Sequence, residues 1–204
     1  MAALQSQPTA RLVMALGFYA GLRTSEIAGL QWRDIEPNCT AFRVERLVWR
    51  GKVGDCKSEN SKRTVPVIAP LYKLLWDYRK SQTIIEPEQF VFVNSNRGPL
   101  DLNFLSRRII KPILKKLRLP WKGYYAGRRA LSTLLANSGD AGQQAAMDML
   151  GHANIHTTRT YYIGTVKESS ISELKRLETA LIQAEKTAVR DNKGQILEII
   201  SASN

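Results

Sequence analysis

Residues 39–67 interrupt the rhythm of this chain. On either side apolar residues recur at helical spacing, whereas here they alternate, imperfectly, along Ala41-Phe-Arg-Val-Glu-Arg-Leu-Val-Trp49 and again along Arg63-Thr-Val-Pro-Val67. The shift predicts a mainly α fold with a small antiparallel β-sheet, an α+β class in which the sheet sits beside helices. Gly51 and a turn at Gly54-Asp55 separate the two runs, and Pro66 assigns the second to an edge. Lys52, Lys57 and Lys62 all fall in the polar stretch between them. For any one of these lysines a solvated surface position is the ordinary reading.

The helical segments carry their own punctuation. Thr9 is placed to cap a first helix through Leu12, Val13, Leu16 and Tyr19 that stops at Gly21. Gly21-Leu-Arg-Thr-Ser-Glu-Ile27 then reads as a turn delivering Arg23 between two helices, with Thr24 or Ser25 as the cap of the second and Glu26 in its first turn. That short helix ends near Gln31. Pro70 opens another through Leu71, Leu74, Leu75 and Tyr78, and Phe90-Val-Phe-Val93 is a brief strand or buried segment. Asp101 or Asn103 starts a helix with Phe104, Ile109, Ile110 and Leu114, kinked at Pro112 and studded with Arg107, Arg108, Lys111, Lys115 and Lys116.

A further helix from Tyr125 to Gly139 puts Tyr125 and Arg128 one turn apart on one face, with Leu131 and Leu135 continuing the stripe inward. An arginine there needs an anion or a carboxylate, because an unpaired buried guanidinium is costly. A salt bridge within the fold satisfies that need as well as a ligand does. Next comes a helix from Gln143 to Leu150, closed by Gly151, and then His152-Ala-Asn-Ile-His-Thr-Thr-Arg-Thr-Tyr-Tyr162, which holds both histidines of the chain. At about 100° per residue, His152 and Tyr161 on one continuous helix face opposite ways. A break at Ala153-Asn154, with Asn154 capping a new helix, removes the conflict. Beyond it, Ile171, Leu174, Leu177 and Leu181, and then Ile196 to Ile200, predict a helical extension over 166–204 that docks on its own domain or on a neighbouring protomer.

The charge balance narrows the partners. Thirty Lys and Arg against 18 Asp and Glu give +12 and a pI near 9.9, the footprint of a protein that binds a phosphate backbone. No apolar run approaches the ~18 residues of a membrane span. The start of the chain lacks a secretory pattern, so an intracellular protein is expected. Cys39 and Cys56 are spaced neither as a zinc motif nor as a disulfide framework, and no acidic cluster suits a metal.

The order of these pieces, over about residues 10–162, resembles the catalytic domain of the tyrosine recombinase, or phage integrase, family. Gly21-Leu-Arg-Thr-Ser-Glu26 resembles its first arginine box. Cys56-Lys57-Ser58 followed by Ser61-Lys-Arg-Thr-Val-Pro66 resembles its Thr-Lys-Thr hairpin and the strand after it. Tyr125-Ala-Gly-Arg128 stands where the family has HxxR, and Leu150-Gly-His152 through Thr157-Thr158 to Tyr161 resembles its final box, with the same step of nine residues from His to nucleophile. One departure is clear: Tyr125 replaces the family's usual His, and tyrosine donates a hydrogen bond without supplying an imidazolium.

The resemblance implies an integrase-like catalytic domain over 1–165, without the family's N-terminal core-binding domain. It implies Tyr161 as nucleophile, Arg23 and Arg128 as phosphate clamps, His152 and Tyr125 as further donors, Lys57 as general acid, and Glu26 as the group that orients an arginine or the histidine. Expected DNA contacts are Lys52, Lys62, Arg63, Arg107, Arg108, Lys111, Arg129 and Arg159. Double-stranded DNA is the implied partner, with a homo-oligomer assembled on it. No cofactor, no metal and no membrane are implied, and the implied setting is the cytoplasm, on the nucleoid, for a bacterial or phage-derived protein of a mobile element. Two other functions fit the same constellation: a type IB topoisomerase-like relaxing enzyme, and a catalytically weakened DNA-binding protein.

Overall fold

A computed structural model describes residues 4–55, 62–137, 144–145 and 148–150, with 172, 175, 176, 178, 179, 182 and 183. Helix α1 (Pro8–Tyr19) is the apolar centre, burying Leu12, Val13, Ala15 and Leu16. Pro8 starts it, because the missing N–H costs nothing in a first turn. The Thr9 hydroxyl is therefore not the cap; it lies 3.4 Å from the Tyr78 hydroxyl. α1 ends at Tyr19, and the chain turns at Gly21, whose φ of 64° favours glycine.

Helix α2 (Thr24–Gly29) is short, ending two residues before Gln31. Helix α3 (Ala69–Lys80) turns Leu71, Leu75 and Tyr78 onto α1. Tyr78 sits between the rings of Trp32 and Phe92, at 6.4 and 5.7 Å. The stretch Phe90-Val-Phe-Val93 is buried at Val91 and Phe92 but joins its neighbours through isolated bridges, Gln31 to Phe90 and Val93 to Pro99, rather than as a strand.

The expected strand over 41–49 is divided at Glu45. β1 (Ala41–Val44) pairs antiparallel with β4 (Arg63–Pro66), and β2 (Arg46–Trp49) pairs antiparallel with β3 (Lys52–Asp55). The single small sheet of the sequence reading is thus two ladders of two strands. Arg50 and Gly51 both have positive φ, 49° and 76°, the geometry of the tight hairpin turn whose twist matches its strands. A bidentate pair, Arg46 to Asp34 at 2.5 and 3.1 Å, ties β2 to the turn Trp32–Asp34.

Helix α4 (Leu102–Leu105) is capped by Asp101, whose carboxylate accepts from the Asn103 N–H at 2.8 Å. A wide π turn over Ser106–Ile110 then leads into α5 (Lys111–Lys116). Pro112 has no N–H to give, and its ring crowds the carbonyl four residues back; the wide turn absorbs both. Helix α6 (Tyr125–Ala136) packs on α1 through Leu131 and Leu135, and its C-cap is Asn137; the expected stop at Gly139 lies outside the described residues.

Candidate phosphate-binding site

The site begins where α1 hands over to α2. Arg23 is extended (φ −72°, ψ 152°) and is itself the N-cap position of α2, one residue earlier than Thr24. The cap comes from within the helix: Glu26 reaches back and accepts from the Arg23 backbone N–H and from Arg23 Nη1, both at 2.8 Å. Neither Thr24 nor Ser25 performs that task. Holding both ends of Arg23 to one carboxylate fixes the side chain beside the helix start, with 42% of its surface still open.

Two more arginines meet at this point. Arg63, from β4, forms a fork with Glu26 (Nη2 to Oε2 at 2.9 Å, Nη1 to Oε1 at 3.2 Å) and donates from Nε to the Met149 carbonyl at 2.6 Å. Arg128, from α6, donates to the carbonyls of Gly21 and Leu150 at 2.6 and 2.5 Å. Arg128 is only 2% exposed and the Arg63 side chain only 6%. The expected role of Arg63 as an open DNA contact thus gives way to an inward guanidinium occupied by a carboxylate and a carbonyl. The alternation of β4 carried the signal: Arg63 shares its face with Val65, which is fully buried.

Among the described residues, three guanidinium groups, those of Arg23, Arg63 and Arg128, gather around the single carboxylate of Glu26. Burial pushes the Glu26 carboxyl up, but the hydrogen bond and charge of Arg63 and the two bonds from Arg23 outweigh it and hold it below its ordinary 4.5. Burial, and then the charge of Arg23, push Arg128 down to about 10, so it remains a cation at neutral pH. Guanidinium groups gathered in this way are stabilised by a phosphate.

Tyr125 stands at the rim. It opens α6, is 58% exposed, and carries the Arg129 guanidinium over its ring at 5.7 Å. Tyr125 and Arg128 are a turn apart, as expected, yet one faces outward and the other inward. Tyr124, which the sequence reading passed over, anchors this corner by donating from its hydroxyl to the Leu102 carbonyl at 2.8 Å; burial, then the charge of Asp101, push its hydroxyl pKa up. Beside Tyr125 lies an open basin of about 650 Å³ lined by Thr24, Ser106, Arg107, Lys111, Trp121 and Tyr125 among others. Arg107 and Lys111 are exposed there, Arg108 is exposed over the Phe104 ring at 5.9 Å, and Lys52 and Lys62 are exposed near the ladders.

Lys57, His152, Arg159 and Tyr161, with the break expected at Ala153-Asn154, lie outside the described residues. Among the described residues no group of His, Cys, Asp or Glu is arranged to hold a metal ion, and no helix is long and apolar enough to cross a membrane.

The chain is similar to known proteins. Tyrosine recombinase XerC of Nitrobacter winogradskyi is 34% identical over 156 residues, 73% of this chain and 44% of that protein. A XerC-like tyrosine recombinase of Caldanaerobacter subterraneus is 25% identical over 196 residues, 84% of this chain and 50% of its own length. The chain therefore spans about half the length of the curated relatives it matches. Among solved structures, the Tn1549 transposon integrase in complex with circular intermediate DNA superimposes with a TM-score of 0.59 at 25% identity, covering 84% of this chain and 60% of that one. The lambda integrase catalytic core superimposes with a TM-score of 0.51 at 19% identity, covering 78% and 88%, a likeness of fold alone. The phage integrase family model matches residues 1–168, which include the arginine cluster, both ladders and the basin, and on that match the chain belongs to the phage integrase family, with the fold of the tyrosine recombinase catalytic domain.

Proposed function

We propose that this chain is the strand-cutting domain of a site-specific DNA recombinase that cleaves and rejoins duplex DNA through a 3′-phosphotyrosyl intermediate. The observation that carries the reading is the cluster of Arg23 and Arg128 around a buried Glu26, beside an open basin lined by Arg107 and Lys111. A phosphodiester under attack gathers charge on its non-bridging oxygens, and pre-placed guanidinium groups stabilise that charge without reorganising.

In the proposed reaction the Tyr161 phenol passes its proton to water as its oxygen bonds to phosphorus. The bond from phosphorus to the 5′-oxygen breaks, and Lys57 gives that oxygen a proton. One phosphoester replaces another, so a 5′-hydroxyl from a second strand reverses the step without a nucleotide cofactor. His152 adds a donor to the phosphate. Tyr125, exposed at the rim, takes the place of the family's histidine as a neutral donor. Lys52, Lys62, Arg107, Arg108, Lys111, Arg129 and Arg159 contact the backbone, and copies of the chain assemble on the DNA. Residues 166–204 serve as a docking extension; the Glu178 carboxylate, which accepts from the Ala69 N–H at the start of α3 at 2.8 Å, supports docking in cis.

The test is a duplex nicked beside the cut site, from which the short 5′-hydroxyl fragment diffuses away and traps the covalent complex. The wild-type protein gives a shifted, protease-sensitive band, Tyr161→Phe gives none, and Tyr162→Phe remains near wild type. Trapping by Tyr161→Phe overturns the assignment.

A further inference from the structure

The same cluster has a second side, facing away from solvent. Two arginines from distant parts of the chain donate to consecutive carbonyls, Arg63 to Met149 and Arg128 to Leu150. These are the last residues before Gly151-His152, and both are fully buried. A guanidinium N–H on a buried carbonyl is a charge-assisted hydrogen bond, stronger than a neutral one, and it fixes both partners. Arg63 is bound at its other end to Glu26, which also holds the Arg23 backbone and guanidinium. In sequence it begins β4, six residues after Lys57.

We infer that Arg63 is a positioning residue. Its Nε–H on the Met149 carbonyl and its fork on Glu26 set the spacing between the Arg23 clamp and the backbone at Met149, three residues before His152 in sequence. The inference rests on the proposed strand-cutting function and deepens it. The geometry requires a guanidinium: one planar group spans a carboxylate and a carbonyl on different elements, with Nη atoms for the first and Nε for the second. A lysine ammonium keeps the charge and meets Glu26, but its single nitrogen lacks that fixed fork. Arg63 has only 6% of its side chain exposed, so it acts through the groups it holds and not on DNA.

Arg63→Lys separates charge from fork, and Arg63→Met removes both. With the nicked duplex at saturating concentration, the single-turnover rate of covalent trapping is measured beside duplex affinity, its salt dependence and the cooperative thermal melt. A small displacement of a reacting group costs on the order of 10²-fold in rate. Arg63→Lys is expected to melt cooperatively and bind duplex like wild type, yet trap at least about 10-fold more slowly; Arg63→Met is slower still or fails to fold, and the conclusion is drawn from Arg63→Lys. A wild-type rate constant in Arg63→Lys with only a smaller folded fraction overturns the inference by making Arg63 a plain scaffold residue. A parallel loss of affinity, with a salt slope lower by about one, overturns it by making Arg63 a backbone contact. Wild-type protein in the same experiment keeps the two claims apart: no trapping by wild type sinks the strand-cutting function, whereas equal trapping by wild type and Arg63→Lys sinks only the positioning role.

Discussion

Glu26 has its side chain 4% exposed and accepts four hydrogen bonds from two arginines. A buried carboxylate is tolerated on those terms, and removing it leaves two guanidinium groups without their counter-charge. Glu26→Gln is therefore expected to lower unfolding free energy at pH 7 by about 3 kcal/mol, read from urea denaturation. The pH dependence has a definite sign. The folded-state carboxyl is held below the ordinary 4.5, so its contribution is complete above that value and is lost as pH falls through the lower, folded value. The gap between wild type and Glu26→Gln closes in that acidic window; a gap unchanged down to pH values where wild type is protonated contradicts the pairing. At this scale Arg23 and Glu26 were legible because a turn residue followed by an acid three positions on is a local signature. The inward facing of Arg63 was legible too, through its two-residue offset from Val65, but a basic residue in a basic hairpin pointed the other way. Tyr124 left no such trace, since its partner, Leu102, belongs to another element.

Helices α1 and α6 meet backbone to backbone, and the contact is unequal on its two sides. A Cβ at Gly127 lies 3.0 Å from the Gly17 carbonyl carbon and oxygen and from the Phe18 ring, whereas a Cβ at Gly17 meets only the Tyr124 carbonyl oxygen at 3.7 Å. Alanine in place of a helical glycine gains up to about 1 kcal/mol in propensity, and overpacking against backbone costs about 1–3 kcal/mol. Gly17→Ala is accordingly expected to raise the melting temperature and Gly127→Ala to lower it, a pair readable in one calorimetry series. Because Gly127 precedes Arg128, the second change also disturbs the hold on Gly21 and Leu150; equal shifts in the two variants rule out this close approach. The helices themselves were legible, long periodic segments with Pro and Gly at their ends. What escaped were features set by pairing at a distance: the division of the strand at Glu45 and the two separate ladders. The bend ahead of Pro112 was readable as a kink, but its form as a π turn depends on how that backbone settles against the core.

Across the molecule, the formal +12 overstates what a polyanion meets, because Arg46, Arg63 and Arg128 are engaged inside the fold. The charge left outside includes Arg107, Arg108 and Lys111 on the α4–α5 side, next to the basin and Tyr125, which is the path the proposed function gives to a duplex lying across the Arg23 cluster. Each cation that neutralises a phosphate releases condensed counterions, so affinity falls with salt at a slope of about −0.9 per contact. Lys111→Ala and Arg107→Ala are each expected to shallow the slope of log affinity against log salt by about 0.9, and to weaken all sequences alike, since such contacts position a duplex without reading it. Arg46→Lys, an exchange within the Asp34 pair, leaves the slope unchanged. Anisotropy of a labelled duplex titrated at several salt concentrations measures all three. If Arg46→Lys changes the slope as much as Lys111→Ala, the inward and outward cations are not distinct; if neither Arg107→Ala nor Lys111→Ala changes it, the duplex lies elsewhere and the basin is not part of its path.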